Sequence, residues 1–272
     1  EMMAMYQPHL YVGGDLYFID WRFEKKVLRG FLIDAMGHGL GTALHAAALH
    51  VILREINEMD LSLTAQMRLL NQRAVRHFAE DTLAAAIAFE VDLENHELRW
   101  VAAGVSDFWA ATQASTGMMS SPGSYLGIHT DETFELHILP LVAGDMVYFC
   151  TDGMGDLLRG QTEIPLDDWN RMPQFLTTLS RSSECRDDAT VLGLRVISFP
   201  DATLSQAGWP KIVQIDSLGH YQELQPRIAA IIAQVTGTPH SMQEVAINEA
   251  LANALECRDG MARGHKVWIK FN

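Results

Sequence analysis

Four aspartates constrain this chain more than anything else in it, because each ends an apolar, strand-like run beside a glycine or another small residue. The segments are Gly13-Gly14-Asp15, Asp34-Ala35-Met36-Gly37-His38-Gly39, Thr151-Asp152-Gly153 and Asp187-Asp188-Ala189-Thr190. Carboxylates gathered from the ends of separate strands bind hard divalent cations through oxygen, and small neighbours let backbone and water approach. Taken singly, each segment reads better as an ordinary turn in which aspartate caps or forms an Asx turn. Four such strand ends in one chain weaken that reading.

Composition narrows the class. The chain has 272 residues, 48% of them hydrophobic, which is ample for a core and more than one small domain would use. A net charge of -14 speaks against nonspecific binding to nucleic acid or to an anionic membrane surface, both of which favour basic patches. Cys150, Cys185 and Cys257 stand far apart, a pattern of a reducing compartment rather than of a disulfide framework or zinc site. A cytoplasmic location is the expectation. No uninterrupted apolar run reaches the roughly 20 residues a membrane span needs. The opening Glu1-Met2-Met3-Ala4-Met5 lacks the basic and apolar regions of a signal peptide. It reads as the tail of a helix entering the first strand, so the chain is expected to be a piece of something longer.

Along the chain, Leu10 to Asp20 and Val27 to Asp34 read as a strand pair around the turn Glu24-Lys25-Lys26. Gly39 to Asn57 turns helical, with Leu44, Ala47, Ala48, Val51 and Ile52 on one apolar stripe. A second helix runs from Ser62, an N-cap candidate, to about Glu80. Leu83 to Val91 and Glu97 to Ala103 form a hairpin, and Phe108–Ala111, Phe134–Leu139, Met146–Cys150 and Thr190–Ile197 supply further strands. Residues 115–124 read as a loop and Leu166–Ser180 as a helix. Strands in this excess over a few long helices predict an α+β fold, an antiparallel β-sandwich flanked by helices. The stretch from Ser198 to Pro210 reads as a boundary. The expected division is therefore 1–198 as one domain, 199–209 as linker and 210–272 as a second, partial domain. Beyond the boundary, the pattern is a strand at Lys211–Ile215, helices near Tyr221–Val235 and Ser241–Cys257, and a strand at Lys266–Phe271.

From about Tyr6 to Val196 the sequence resembles the metal-dependent protein phosphatases of the PPM family, in their bacterial SpoIIE/RsbU-like branch. The four aspartate segments carry the resemblance, together with Ala102-Ala103-Gly104, Leu126-Gly127 and Ala143-Gly144-Asp145. It implies a site of two Mn or Mg ions, an arrangement that activates a water and clamps phosphoryl oxygens for in-line attack. Asp15 and Asp34 would bridge the ions with the Ala35 carbonyl as a further ligand. Asp152 and Asp187 would complete the pair, and Asp188 would support the site. Three positions depart from the family's pattern. Ala35 stands where glycine is frequent, a change that a backbone ligand tolerates. Val105 follows Gly104 where many relatives carry histidine. Met36 occupies the place of a histidine that would protonate the leaving group in eukaryotic relatives, so the general acid is unassigned. His38 is the nearby substitute, although a histidine at a helix start is more often structural. His45 and His50 do not have the i, i+4 spacing of a helical metal pair. Trp100, Trp109, Met118 and Met119 are candidates for a substrate surface, with core and loop packing the commoner role.

Near the C-terminus Glu249 and Asn253 lie four residues apart and share a helix face. Spacing alone describes an ordinary amphipathic helix. The stretch Glu244 to Ala254 nevertheless resembles the N-box of GHKL ATPases, closest to anti-sigma-factor serine kinases of the RsbW/SpoIIAB type. That resemblance implies Glu249 as catalytic base and Asn253 as Mg ligand. The adenine-holding Asp-x-Gly-x-Gly segment and the glycine-rich lid do not occur before Asn272, so ATP with Mg is expected only if this domain is complete in a longer protein. Together the resemblances imply a phosphoserine/phosphothreonine phosphatase acting on a phosphorylated STAS-domain anti-sigma-factor antagonist in a partner-switching pathway. The alternatives are a bifunctional phosphatase and kinase, or a C-terminal module that binds partners without catalysis. An anti-sigma factor is a further candidate partner and a homodimer is allowed; nucleic acid and membrane are not expected.

Overall fold

Strands with apolar residues on both faces dominate the protein, and they stack into two five-stranded antiparallel sheets. The computed structural model describes residues 1–9, 11–22, 25–37, 39–77, 82–199, 212–215 and 267–270. One sheet contains β2 (Asp15–Arg22), β3 (Val27–Ala35), β4 (Ala84–Asp92), β5 (Glu97–Ala103) and β8 (His137–Pro140), in that spatial order. The other is ordered β1 (Met2–Gln7), β10 (Ala189–Arg195), β9 (Met146–Cys150), β6 (Asp107–Ala111) and β7 (Thr116–Ser120). Helices α1 (Leu40–Glu58) and α2 (Leu63–His77) cover the first sheet, and α3 (Asp152–Arg159) and α4 (Met172–Ser180) cover the second. The expected α+β sandwich is therefore present as four layers.

Period-two alternation sorts the side chains among three apolar layers. On β3, Leu32 faces the space between the sheets while Phe31 and Ile33 face the helices. On β4, Ile87 and Phe89 point inward, and Ala84, Ala86 and Ala88 lie toward α1 and α2. The small residues on the helix side let α1 and α2 lie close, while the large ones fill the inter-sheet layer. Phe89 stacks on Phe149 of the opposite sheet with ring centroids 4.5 Å apart. Its ring occupies the place of a side chain at Gly30, where a Cβ would lie 2.1 Å from Phe89 Cζ. Full burial of each such side chain contributes about 1.5–3 kcal/mol.

Several expectations need correction. The opening residues are strand β1, paired antiparallel with β10 from Met2 opposite Leu194 to Gln7 opposite Ala189, not a helix tail. Pairing with a distant strand overrides the helical propensity of a Met- and Ala-rich run. The first strand of the β2–β3 pair begins at Asp15, since residues 11–14 form a bend. Residues 116–120 are strand β7 rather than loop, held by pairing with β6. The strand expected at Phe134–Leu139 begins only at His137, and Phe134 is buried beneath α1 and α2. The helix expected from Leu166 begins at Met172, and helix α3 had no counterpart in the sequence reading. Helix α1 buries Ala46, Leu49, Leu53 and Ile56, whereas Leu44 and Val51 are exposed. The helix is apolar on two sides, and periodicity alone does not say which side meets the sheet.

Helix α2 ends its described part at His77, and Ser62 Oγ accepts the Ala65 N–H at 3.3 Å, as a capping residue should. The chain divides into two units, Glu1–Phe199 and Pro200–Asn272. Of the second, β11 (Ile212–Ile215) and β12 (Val267–Lys270) pair antiparallel, matching the two expected strands. The expected helices near 221–235 and 241–257, with Glu249 and Asn253, lie outside the described residues. Among the described residues no helix is long and apolar enough to cross a membrane.

Candidate active site

The site grows from the β2–β3 register. Asp15 stands directly opposite Asp34, so both side chains leave the sheet on the same face. The Ala35 N–H bonds the Gly14 carbonyl at 3.2 Å, which makes Asp15 and Asp34 a non-hydrogen-bonded pair, the kind whose side chains stand closest. Gly14 cannot be larger: a Cβ there would lie 2.6 Å from Thr42 Cγ2 and 2.7 Å from the Ala35 carbonyl oxygen.

The other two aspartates come from the neighbouring ends of β9 and β10. Asp152 opens α3 two residues after the end of β9, and Asp187 lies two residues before β10. Gly153 permits this approach, since a Cβ there would sit 2.2 Å from the Asp188 carbonyl oxygen. Asp188 proves to be a backbone anchor. Its Oδ1 accepts the His9 N–H at 2.8 Å and its Oδ2 accepts the Gly14 N–H at 2.6 Å. A Cβ at Gly13 would lie 2.5 Å from Asp188 Oδ2. Asp188 thus pins the Gly13-Gly14 turn to the second sheet and thereby positions Asp15.

Two hydroxyls complete the cradle. Thr151 Oγ1 donates to Asp15 Oδ2 at 2.7 Å and Thr190 Oγ1 donates to the same oxygen at 2.6 Å. The Thr190 N–H in turn bonds Thr151 Oγ1 at 3.0 Å. These threonines had no role in the sequence reading. Their signal was adjacency, since Thr151 touches one site aspartate in sequence and Thr190 follows Asp187 by three residues.

Asp34, Asp152 and Asp187 line one cleft of about 400 Å³ together with Met36, Gly104, Val105, Asp107, Tyr125, Cys150, Asp156 and Arg159. Burial pushes the Asp34 carboxyl up to about 9, helped by the charges of Asp15 and Asp152, a hydrogen bond shared with Asp152, and the charge of Asp187. Burial also raises Asp15, to about 7, against the lowering effect of the Thr190 and Thr151 hydroxyls. Asp187 is raised by partial burial first, with the charges of Asp152 and Asp188 adding.

The residues fit a divalent cation. Asp15 Oδ1 is buried without a hydrogen-bond partner, a group that needs a compensating charge or donor. The charges of Asp15, Asp152 and Asp187 all act to raise Asp34. The candidate donors that line the cleft are carboxylates, which suits Mg or Mn. Burial drives the Cys150 thiol upward, away from the thiolate a softer metal would use. Among the described residues, however, no three Asp, Glu, His or Cys side chains are drawn together closely enough to hold a metal ion. Asp34, Asp152 and Asp187 line the cleft, while Asp15, opposite Asp34, is buried.

The other candidates separate clearly. No described histidine lines the cleft, and His38 lies outside the described residues. Met36, in the place of the relatives' histidine, is exposed in the cleft wall. His50 packs near Phe18 with ring centroids 6.3 Å apart. Trp100 is a buried core residue whose Nε1 donates to Ser121 Oγ at 3.0 Å, and Trp109 is likewise buried. Met118 is exposed on β7 and Met119 packs inward.

Two antiparallel sheets between helix layers, with acidic strand ends at one rim, define a PP2C-like fold. The PP2C phosphatase domain of SpoIIE from Bacillus subtilis superposes with a TM-score of 0.61 at 16% identity, covering 72% of this chain and 62% of that one. The sequence pattern of the Stage II sporulation protein E (SpoIIE) family matches residues 25–197, and the chain belongs to that family. The phosphoserine phosphatase RsbP of Bacillus subtilis is 23% identical over 198 residues, 68% of this chain and 48% of its own length. The chain thus spans about half of that relative. The RsbU and RsbW domains of Rv1364c from Mycobacterium tuberculosis match 96% of this chain and 76% of that one, with a TM-score of 0.62 and 19% identity.

Proposed function

We propose that residues 6–197 form a divalent-metal-dependent phosphoserine/phosphothreonine protein phosphatase. Its substrate is a phosphorylated STAS-domain anti-sigma-factor antagonist, in a cytoplasmic partner-switching pathway. The observation that carries the reading is the placement of Asp15 opposite Asp34 at the rim of a cleft that Asp152 and Asp187 also border. Membership of the SpoIIE family supports it. Asp15 and Asp34 would hold two Mn or Mg ions between them with the Ala35 carbonyl, and Asp152 and Asp187 would each hold one side. When bound, the ions supply a water of lowered pKa and neutralise charge developing on the phosphoryl oxygens.

The chain's own contribution is position. Thr151 and Thr190 fix the rotamer of Asp15 through Oδ2 and leave Oδ1 for a cation. Asp188 holds the glycine turn that delivers Asp15. Uncatalysed phosphomonoester hydrolysis is among the slowest of biological reactions, so fixed electrostatics must supply most of the acceleration. The test is hydrolysis of a phosphorylated STAS protein and of p-nitrophenyl phosphate with Mn, Mg or chelator. At limiting Mn, Asp15→Asn and Asp152→Asn should both remove metal-dependent turnover without changing the circular dichroism spectrum. Undiminished turnover in both variants would sink the reading.

A second reading concerns residues 210–272 and is favoured by the likeness of nearly the whole chain to paired RsbU and RsbW domains. The division is then 1–198 phosphatase, 199–209 linker and 210–272 a partial GHKL kinase-like domain. Glu249 would serve as base and Asn253 as Mg ligand where ATP binds in a complete domain. Otherwise the segment docks the antagonist or an anti-sigma factor. Removing residues 209–272 should weaken partner binding and leave p-nitrophenyl phosphate hydrolysis unchanged. Equal partner affinity with and without the segment would exclude the docking role.

A further inference from the structure

One face of α3 forms a wall of the cleft. Asp152, Gly155, Asp156 and Arg159 all line it, at the i, i+3, i+4 and i+7 positions that share a helix face. The aspartate proposed to hold metal opens this helix, and an arginine closes it. A Cβ at Gly155 would lie 3.6 Å from Arg159 Nη1, so the arginine folds back along the helix toward Asp152.

The guanidinium is held from two sides. Nη1 donates to Asp107 Oδ1 at 2.8 Å and to Oδ2 at 2.9 Å, and Nη2 donates to Asp156. Asp107 begins β6, so this clamp ties α3 to a strand 52 positions away in sequence. The three bonds use the terminal nitrogens and leave donor capacity on a group that carries five N–H. The Arg159 side chain keeps 39% of its exposure. Among the described residues lining the cleft it is the single cation, set against Asp34, Asp107, Asp152, Asp156 and Asp187. A partly exposed ion pair of this kind contributes little to stability. A phosphate dianion entering an acidic cleft does need a cation on the wall, and a planar fork fixed by a carboxylate is pre-organised to receive one.

We propose that Arg159 is a substrate-binding residue of this cleft. Its guanidinium takes an oxygen of the incoming phosphoryl group, and Asp107 and Asp156 hold it in place. This assignment rests on the phosphatase reading. The experiment uses the full chain loaded with Mg or Mn, and measures calorimetric binding of inorganic phosphate and steady-state hydrolysis of p-nitrophenyl phosphate. Arg159→Ala should weaken phosphate binding and raise KM by about 10-fold, with kcat changed less. Arg159→Lys should recover part of the loss, and added guanidinium should recover part of it in Arg159→Ala. Asp107→Asn, which loosens the clamp, should raise KM by a smaller factor. Should Arg159→Ala fail to fold, Arg159→Lys and Asp107→Asn carry the test. Wild-type hydrolysis with unchanged phosphate affinity and KM in the folded variants overturns the role of Arg159 alone. Absence of metal-dependent hydrolysis in the wild type overturns the phosphatase reading, and this assignment with it.

Discussion

The four site aspartates fall into two pairs built by different means. Asp15 and Asp34 face each other across two strands of one sheet, with Asp15 buried and Asp34 partly so. Asp152 and Asp187 are exposed, one at a helix start and the other in the segment before β10. The first pair is set by the β-ladder and cannot move without breaking it, and its carboxyls are raised in pKa chiefly by burial. The second pair is set by the start of α3 and by the turn before β10 rather than by a shared ladder. In the proposed metal site the rigid, buried half would fix the geometry and the exposed half would complete it.

The sharpest way to break the comparison is substitution in the rigid half. Asp15→Asn or Asp34→Asn should lower metal-dependent hydrolysis by about 1,000-fold or more, and excess Mn should not restore it. A steady-state assay over a Mn titration decides. Asp152→Asn or Asp187→Asn should instead weaken apparent Mn affinity by roughly 10–100-fold and recover much of the rate at high Mn. Equal behaviour of the two pairs would abolish the distinction.

Packing around the rigid half gives the next effects. Gly14→Ala drives a methyl into Thr42 and the Ala35 carbonyl and should cost about 1–3 kcal/mol in chemical denaturation. Thr190→Val removes one of two hydroxyls bonded to Asp15. It should cost about 1.5 kcal/mol or less, because the Thr151 hydroxyl remains, with a reduction in rate of about 10-fold.

The smallest effect is on pH dependence. Burial pushes the Asp34 and Asp15 carboxyls up to about 9 and about 7 in the folded chain, against about 3.9 when unfolded. The folded state therefore binds more protons than the unfolded state across this window. Their stabilising contribution is complete below pH 4 and is lost as pH rises through 7 and 9. In chelator, Tm should fall by several degrees, on the order of 5 °C, between pH 5 and pH 9. Mg should flatten that fall, and so should Asp34→Asn. A Tm that rises with pH in chelator would refute it.

Much of the fold was legible because sheets record themselves locally. Continuous apolar runs at 84–89 and 146–150 marked strands covered on both faces, and the hairpin from β4 to β5 needed no distant information. Strand β7 was missed because its residues, Thr116-Gly117-Met118-Met119-Ser120, have a loop's composition and gain their pairing only from β6. Strand β1 was missed for the same reason, its partner lying near the opposite end of the unit. Helix α1 shows a different shortfall, since the one stripe read from periodicity included the exposed Leu44 and Val51, and packing buried Ala46, Leu49, Leu53 and Ile56 instead.

The sequence by itself determined the class of the chain, the four acidic strand ends and the glycines beside them, because steric and apolar periodicity are local properties. Only the tertiary structure decided that Asp15 stands opposite Asp34 and that Thr151 and Thr190 share one oxygen of Asp15. It also decided that Asp188 holds a turn and that Arg159 is clamped by Asp107. Each of these is a contact between residues far apart in sequence, fixed by strand register and sheet stacking. Register depends on the partner strand, and no single segment carries its partner.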